Sequence, residues 1–493
     1  MRAPRLLALC LAPGCVLLTP SDRAAHTDAD RDGVPADRDC DDADPARGAP
    51  SEELCNAVDD DCDGDVDEGL RPDRDGDGVG ADTLDPGPCF VDWVEVGGDC
   101  DDRDPDTYPG APERCDGRDN GCAGGWTPAD ELGVVTWAAA DGSTWEDWSA
   151  AFGSGAPGAP ALLDLPASGT LEVCRGPSPY AVRLSATDPE GLVVQGRAIS
   201  TDGDAGADDA MPVLNGADGG AEPGPVFSIS GADAELTLRG LQLIGGQSTA
   251  LQPGGGLAMR GGRRVSLIDV VIAANLASDD APGAAGIHAQ YVDRLDLVDV
   301  EVRDNTTSSG GRGAGLFALG TDVRIDGAWF HGNEARGLGG GVYLDSSRLE
   351  AWDALFEANE GADGGGGLFV SRGSDGYLYD TRFISNVGDL GGAARVEGNL
   401  SCFSVGESTT FVDQAARYAG GVYAVLGAGR ASFDGCTVEG TTVDPGAAEV
   451  ARDAPDLVVA ADSLATTPAS HYRITGPLWF CELATGCYGD VDE

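Results

Sequence analysis

Aspartate at alternate positions, closed by glycine, occurs three times near the N-terminus: Asp28, Asp30, Asp32 with Gly33; Asp59, Asp61, Asp63 with Gly64, then Asp65; and Asp73, Asp75, Asp77 with Gly78. Alternate side chains of a tight loop converge on one ion, and glycine permits the sharp turn that follows, so this spacing is the opening of a Ca2+ loop. Only the first stretch has an acid, Asp39, at the twelfth position; Leu70 and Leu84 stand there in the other two, and no flanking helices with apolar residues at helical spacing are evident. These are therefore not complete EF-hand loops. A second acidic cluster, Asp39, Asp41, Asp42 and Asp44, repeats as Asp99, Asp101, Asp102 and Asp104, and Asp116 and Asp119 complete the set of candidate metal ligands.

The elements that must position these carboxylates are marked by cysteine. Cys40, Cys55 and Cys62 recur as Cys100, Cys115 and Cys122 with the same gaps of 15 and 7. Most aspartate runs are solvated linkers, but fixed cysteine spacing implies a fixed fold, and a module so poor in core residues needs staples and metal. Oxygen-only clusters without paired C-x-x-C sets favour calcium over zinc. Cysteine arithmetic gives one pairing scheme: Cys40 with Cys55, Cys100 with Cys115, Cys62 with Cys89, and Cys122 with Cys174.

The whole chain has 493 residues, with 84 acidic against 31 basic residues for a formal net charge of −53. All its basic residues but histidine are arginine, and such a surface repels nucleic-acid phosphates. At the N-terminus, Arg2 and Arg5 with the short apolar run Leu6 to Leu18 form an export signal over residues 1–25. Leu11 to Cys15 resembles a lipoprotein box, which makes Cys15 the candidate for a lipid anchor on the outer-membrane surface, with plain secretion the alternative. Either route leads to a compartment where cysteines pair.

The acidic module resembles the metal-binding repeats of MopE-like bacterial surface proteins, whose signature runs D-x-D-G-D-G, a cysteine, G-D-C-D-D-x-D, then P-G-A-x-E-x-C-D-G-x-D-N-D-C-D-G. Residues 26–70 form a first repeat and 71–127 a second. The second repeat matches at Asp73 to Gly78, Cys89, Gly98 to Asp104 and Pro109 to Asn120, but Gly121-Cys122-Ala123-Gly124 has lost two of the family's acids. The first keeps that end, as Asp59 to Glu68, and lacks the upstream cysteine. The resemblance implies metal binding, of calcium or, for the namesake class, copper; calcium is the expectation carried forward.

After Val134 glycine rises and a new period appears. Asn275, Asn305, Asn333, Asn359, Asn386 and Gln414 follow one another at 30, 28, 26, 27 and 28 residues. In register with them a glycine precedes an apolar strand, as in Gly286-Ile287 and Gly341-Val342. Each repeat offers two or three short strands, too few to bury a core alone, so the repeats must stack. The fold expected over 130–480 is all-β, a right-handed parallel β-helix with an asparagine ladder, next to a small disulfide-rich, calcium-binding N-terminal module of mostly loops. Trp145 to Phe152 is expected to form a capping helix before a first strand near Leu171 to Cys174. Cys481 and Cys487 would close a C-terminal loop over 481–493, and Cys402 and Cys436 could bridge neighbouring coils.

This period resembles the pectin-lyase-like superfamily. Its F-x-x-N motifs, at Phe330 to Asn333, Phe356 to Asn359 and Phe383 to Asn386, are similar to those of polymorphic outer-membrane proteins. Acidic and basic residues beside the ladder, Asp279, Glu334, Arg336, Glu360, Asp363 and Asp389, with Arg395 nearby, mark the strip where chemistry would sit, although stacked turn positions become neighbours automatically. The expected function is that of an exported, cell-surface, calcium-binding structural or adhesion protein whose β-helix presents a face to extracellular glycan or a surface protein. The alternative is a secreted polysaccharide lyase or glycoside hydrolase.

Overall fold

A computed structural model gives the architecture. It describes residues 28–397 apart from short segments, the longest being 82–91, 153–160 and 198–210, and beyond 397 chiefly the backbone of strands up to Gly489. The export signal with Cys15, and Asp32, Cys89, Asp279, Gln414 and Cys436, lie outside the described residues. Two compact units are present: Met1–Ala111 with Asp119–Gly125, and Pro112–Arg118 with Trp126–Glu493. No helix among the described residues is long and apolar enough to cross a membrane.

The second unit is a parallel β-helix. One coil runs Leu257–Arg260, Arg264–Ile268, Val271–Ala273 and Leu276–Ala277, and the next runs Ile287–Gln290, Leu295–Val298, Glu301–Arg303 and Thr306–Thr307. Each strand pairs in parallel with its counterpart one coil on, Leu257 with Ile287, Val265 with Leu295 and Val271 with Glu301. A coil therefore has four strands rather than two or three. The fourth is only two residues long, too short for its alternation to be read from sequence, yet these strands stack into an eight-stranded sheet of their own.

Alternation places one side chain in two inside each coil, and inside they are apolar. Leu257, Ile287, Leu316, Val342 and Leu368 stack as one fully buried column, and Phe330, Phe356 and Phe383 as another, with ring centroids 5.3 and 4.6 Å apart. The expected asparagine ladder is present. Asn275, Asn305, Asn333, Asn359 and Asn386 are fully buried, and each of the first four Nδ2 groups donates to the next Oδ1 at 2.9–3.0 Å. Each Nδ2 also donates to a carbonyl of the preceding coil, as Asn333 does to Val302 at 2.8 Å. The amides thus satisfy backbone groups at a corner where the strand ladder is interrupted.

The N-terminal cap departs from expectation. Trp145–Asp147 is a strand, held antiparallel to Val135–Ala138, which itself pairs antiparallel with Thr170–Cys174. Only Ser149–Phe152 is helical, a single turn that buries Phe152 completely. The edge of Val135–Ala138 offers unpaired backbone groups, and satisfying them outweighs helix propensity in so short a segment. At the other end Leu478–Glu482 and Gly486–Gly489 form an antiparallel hairpin with Cys481 opposite Cys487.

Candidate metal centre

The loop from Asp73 to Gly78 is bracketed by two short strands. Arg71–Asp73 pairs antiparallel with Asp92–Val94, and Gly80–Ala81 pairs in parallel with Gly97–Asp99, which carries Asp99 to the loop exit. Asp73 closes the loop on itself, accepting the Gly76 N–H at 2.6 Å and the Gly78 N–H at 3.0 Å. Gly78 has φ +92°, as Gly64 has +108° in the loop from Asp59, a region that L side chains enter only with strain. Asp75 accepts the Asp77 N–H at 3.3 Å, Asp77 that of Val79 at 2.7 Å, and Asp99 that of Asp101 at 2.9 Å, each through Oδ1.

The second oxygens are what distinguish this loop from an ordinary turn. Oδ2 of Asp75, Asp77 and Asp99 is buried and has no hydrogen-bond partner. Oxygens of Asp73, Asp75 and Asp77 all lie within 4.8 Å of one another. Burying carboxylate oxygens without a donor is costly unless a cation meets them. Burial pushes the Asp99 carboxyl up to about 6, with the neighbouring charges of Asp75, Asp77 and Asp102 adding to it. Burial raises Asp75 and Asp77 too, helped by the charges of Asp73 and Asp102. Asp102 is fixed by the Arg74 N–H at 3.0 Å and by its guanidinium at 2.6 Å. The residues present fit a divalent cation held by oxygen ligands.

The duplication read from cysteine is also a duplication of contacts. Asp28 accepts the Arg31 and Gly33 N–H groups, and Ala29 N–H donates to Asp42 at 2.8 Å, as Arg74 N–H does to Asp102. Asp39 accepts the Asp41 N–H and leaves a buried, unpartnered Oδ2, as Asp99 does. In each repeat the D-x-D-x-D loop and the D-C-D-D cluster therefore act together: Asp39 is the twelfth residue of the first loop, and Asp99 takes the equivalent place beside the loop from Asp73, whose own twelfth residue is Leu84. A second cluster, Asp59, Asp61 and Asp63, also converges within 4.8 Å, with Asp59 Oδ1 buried and unpartnered. Its counterpart in the second repeat has Asp119 alone, whose two oxygens accept the Ala123 and Gly124 N–H groups at 3.0 Å. Loss of acids at Gly121 and Ala123 thus keeps the turn and removes the oxygen donors.

The disulfides correct the pairing scheme. Cys40 bonds to Cys62 and Cys100 to Cys122, each across 22 residues, and Cys115 bonds to Cys174. Cys55 is disulfide-bonded as well. Cys40 does not pair with Cys55, nor Cys100 with Cys115, nor Cys62 with Cys89, nor Cys122 with Cys174. The physical reason lies in the turns: Cys62 and Cys122 adopt positive φ inside the 59–64 and 119–124 loops. That conformation brings each sulfur under the Cys40 or Cys100 N–H, at 3.0 and 3.2 Å. The bridge so clamps one acidic loop of a repeat to its D-C-D-D turn.

The remaining candidates are held differently. Asp41 and Asp44 pair with Arg47 at 3.0 and 3.7 Å, and Asp101 and Asp104 occupy the equivalent turn. Asp65 donates its N–H to Asp63. Asp116 belongs to the β-helix unit, where it accepts the Arg118 N–H at 3.0 Å. Sequence reasoning missed Asp60, 2% exposed and held by Asn56 at 2.8 Å, and its counterpart Asn120, fully buried against Thr107. Their signal was the intervening position of D-x-D, which is taken as solvent-facing by default. On the β-helix, Glu334 pairs with Arg336 at 2.9 Å, and Arg395 is engaged by Glu397 and by the Asp363 carbonyl.

Aspartate loops clamped by disulfides, followed by a parallel β-helix, define a metal-binding structural protein of the β-solenoid class. Residues 39–68 and 99–126 match the family model Cu-binding_MopE, described as "Putative metal-binding motif". The chain carries two MopE-like metal-binding repeats ahead of its solenoid. Neither a curated protein nor a solved structure matches it.

Proposed function

We propose that the chain is an exported, cell-surface, calcium-binding structural or adhesion protein, in which the acidic module is held by the ion and the β-helix presents a face to extracellular glycan or a surface protein. The observation that carries this reading is the set of buried, unpartnered carboxylate oxygens on Asp75, Asp77 and Asp99. Although the matching family is named for copper, the clustered donors are carboxylate oxygens alone, and the module's described cysteines are in disulfides. Copper prefers imidazole, thiolate or thioether, whereas all-oxygen sites suit calcium. Bonded cysteines agree with an oxidising compartment, and hence with export. In this role Asp73 shapes the loop, Asp75, Asp77 and Asp99 supply charge, and Arg74 orients Asp102. Limited proteolysis of the full chain tests it: calcium at about 1 mM, the weak range of extracellular modules, protects residues 28–125 and an equal concentration of magnesium does not. Cleavage indifferent to calcium would refute the reading.

A further inference from the structure

The outward side of the first β-helix sheet carries a second ladder, made of rings. Phe369, Tyr343, Phe317 and His288 occupy successive register positions and stack at 5.0, 5.3 and 4.9 Å, with planes within 8° of parallel. The next position is Ala258, and beyond it come Ser228 and Ser185. A methyl group cannot continue the stack. The imidazole therefore ends the stack at the border of a cleft of about 280 Å³, lined also by Thr187, Ser230, Pro253 and Arg260. Two rungs separate His288 from Ser228, roughly 9.6 Å at strand spacing, which leaves room for one flat ring.

Two further observations characterise the cleft. His288 is 5% exposed, its Nδ1 has no hydrogen-bond partner, and burial together with the nearby Arg260 charge lowers its pKa to about 4, so the ring is neutral. Arg260 is exposed and forms no ion pair among the described residues, in a chain whose net charge is −53. Asp164 also lines the cleft, three register positions from Ala258, where its carboxylate accepts the Ser185 hydroxyl at 2.8 Å. At the His288 end, a neutral ring next to a cation with no ion pair suits a ring that carries an anion. We propose that this cleft binds a small aromatic carboxylate, its ring stacked on His288 in the place left by Ala258 and its carboxylate at Arg260, with the hydroxyls of Ser228 and Ser230 alongside.

Calorimetry of the full chain with 4-hydroxybenzoate tests this, with cyclohexanecarboxylate and N-acetylglucosamine as comparison probes. Saturable binding tighter than about 1 mM is expected for the aromatic acid, at least tenfold weaker binding for cyclohexanecarboxylate, which has the charge without the flat ring, and none for the sugar. Ala258→Phe supplies the missing ring from the chain itself, as Phe317 does two coils further on, and abolishes binding with the circular dichroism spectrum retained. Arg260→Gln, on an exposed side chain, weakens binding at least tenfold. Absence of saturation by about 10 mM, equal affinity for the saturated acid, preference for the sugar, or binding by folded Ala258→Phe protein each overturns the proposal. Should Ala258→Phe not fold, an unchanged affinity in Arg260→Gln overturns it alone.

Discussion

Calcium affinity of the acidic module should fall as pH is lowered, by at least the amount that Asp99 sets. Its carboxyl titrates near 6 in the metal-free fold against an ordinary 3.8, because its Oδ2 is buried without a donor beside Asp75, Asp77 and Asp102. A cation must displace that proton, so the apparent affinity carries the factor 1 + 10^(pKa − pH). The factor is close to 1 at about pH 7.5 and about 11 at about pH 5, a loss of roughly tenfold from Asp99 alone. The raised carboxyls of Asp75 and Asp77 act in the same direction and make tenfold a lower bound. The sign for stability is opposite. A folded pKa above the unfolded value stabilises the metal-free fold below about 3.8, and that contribution is lost as pH rises through about 6. These carboxyls therefore favour the metal-free fold in acid, whereas bound calcium favours it near neutrality. Calorimetric titration of the full chain at the two pH values, on wild type and Asp99→Asn, reads the effect. The variant should bind more weakly at about pH 7.5 and keep a smaller pH ratio than the wild type. A wild-type affinity that is flat between the two pH values, or a variant with the full tenfold step, would refute the reasoning.

Three further outcomes follow from the structure. Asn333→Ala removes four hydrogen bonds, to Val302 and Asn359 and from the Asn305 N–H and Nδ2. At ~1 kcal/mol each this costs about 4 kcal/mol, and a loss below ~1 kcal/mol in denaturant unfolding would show the ladder to be decorative. Phe356→Ala opens a cavity between two stacked rings in a fully buried column and costs about 3–5 kcal/mol by the same measurement. Cys115→Ser opens a bridge spanning 59 residues and lowers β-helix stability by about 4 kcal/mol on the chain-entropy estimate, with unchanged unfolding contradicting it.

How much of this was legible in the sequence varies with the physics. The coil period was legible because every repeat must place its asparagine at the same corner, and Asn275 to Asn386 kept that interval through changing loop lengths. The fourth strand was not, since two residues such as Thr306–Thr307 carry no alternation. The aspartate spacing revealed the loops, which are closed locally by their own N–H groups. Asp39 was legible as the twelfth residue of the first loop, but that Asp99 joins the loop from Asp73 was hidden, because it depends on the pairing of Gly80–Ala81 with Gly97–Asp99, strands too short to carry a pattern. Disulfide connectivity failed for a related reason: equal gaps fix a unit, but the positive φ of Cys62 and Cys122 selects the partner.

The central claim is that carboxylate oxygens left buried and unpartnered on Asp75, Asp77, Asp99, Asp59 and Asp39 are there to meet calcium. Titrating calcium into the metal-free full chain at about pH 7.5, alongside Asp75→Asn/Asp77→Asn protein, measures this directly. Saturable heat with a Kd at or below about 1 mM, and a reduced number of ions bound in the double variant, is the predicted result. No saturation by about 10 mM calcium, or copper bound at the same residues in its place, would contradict the account.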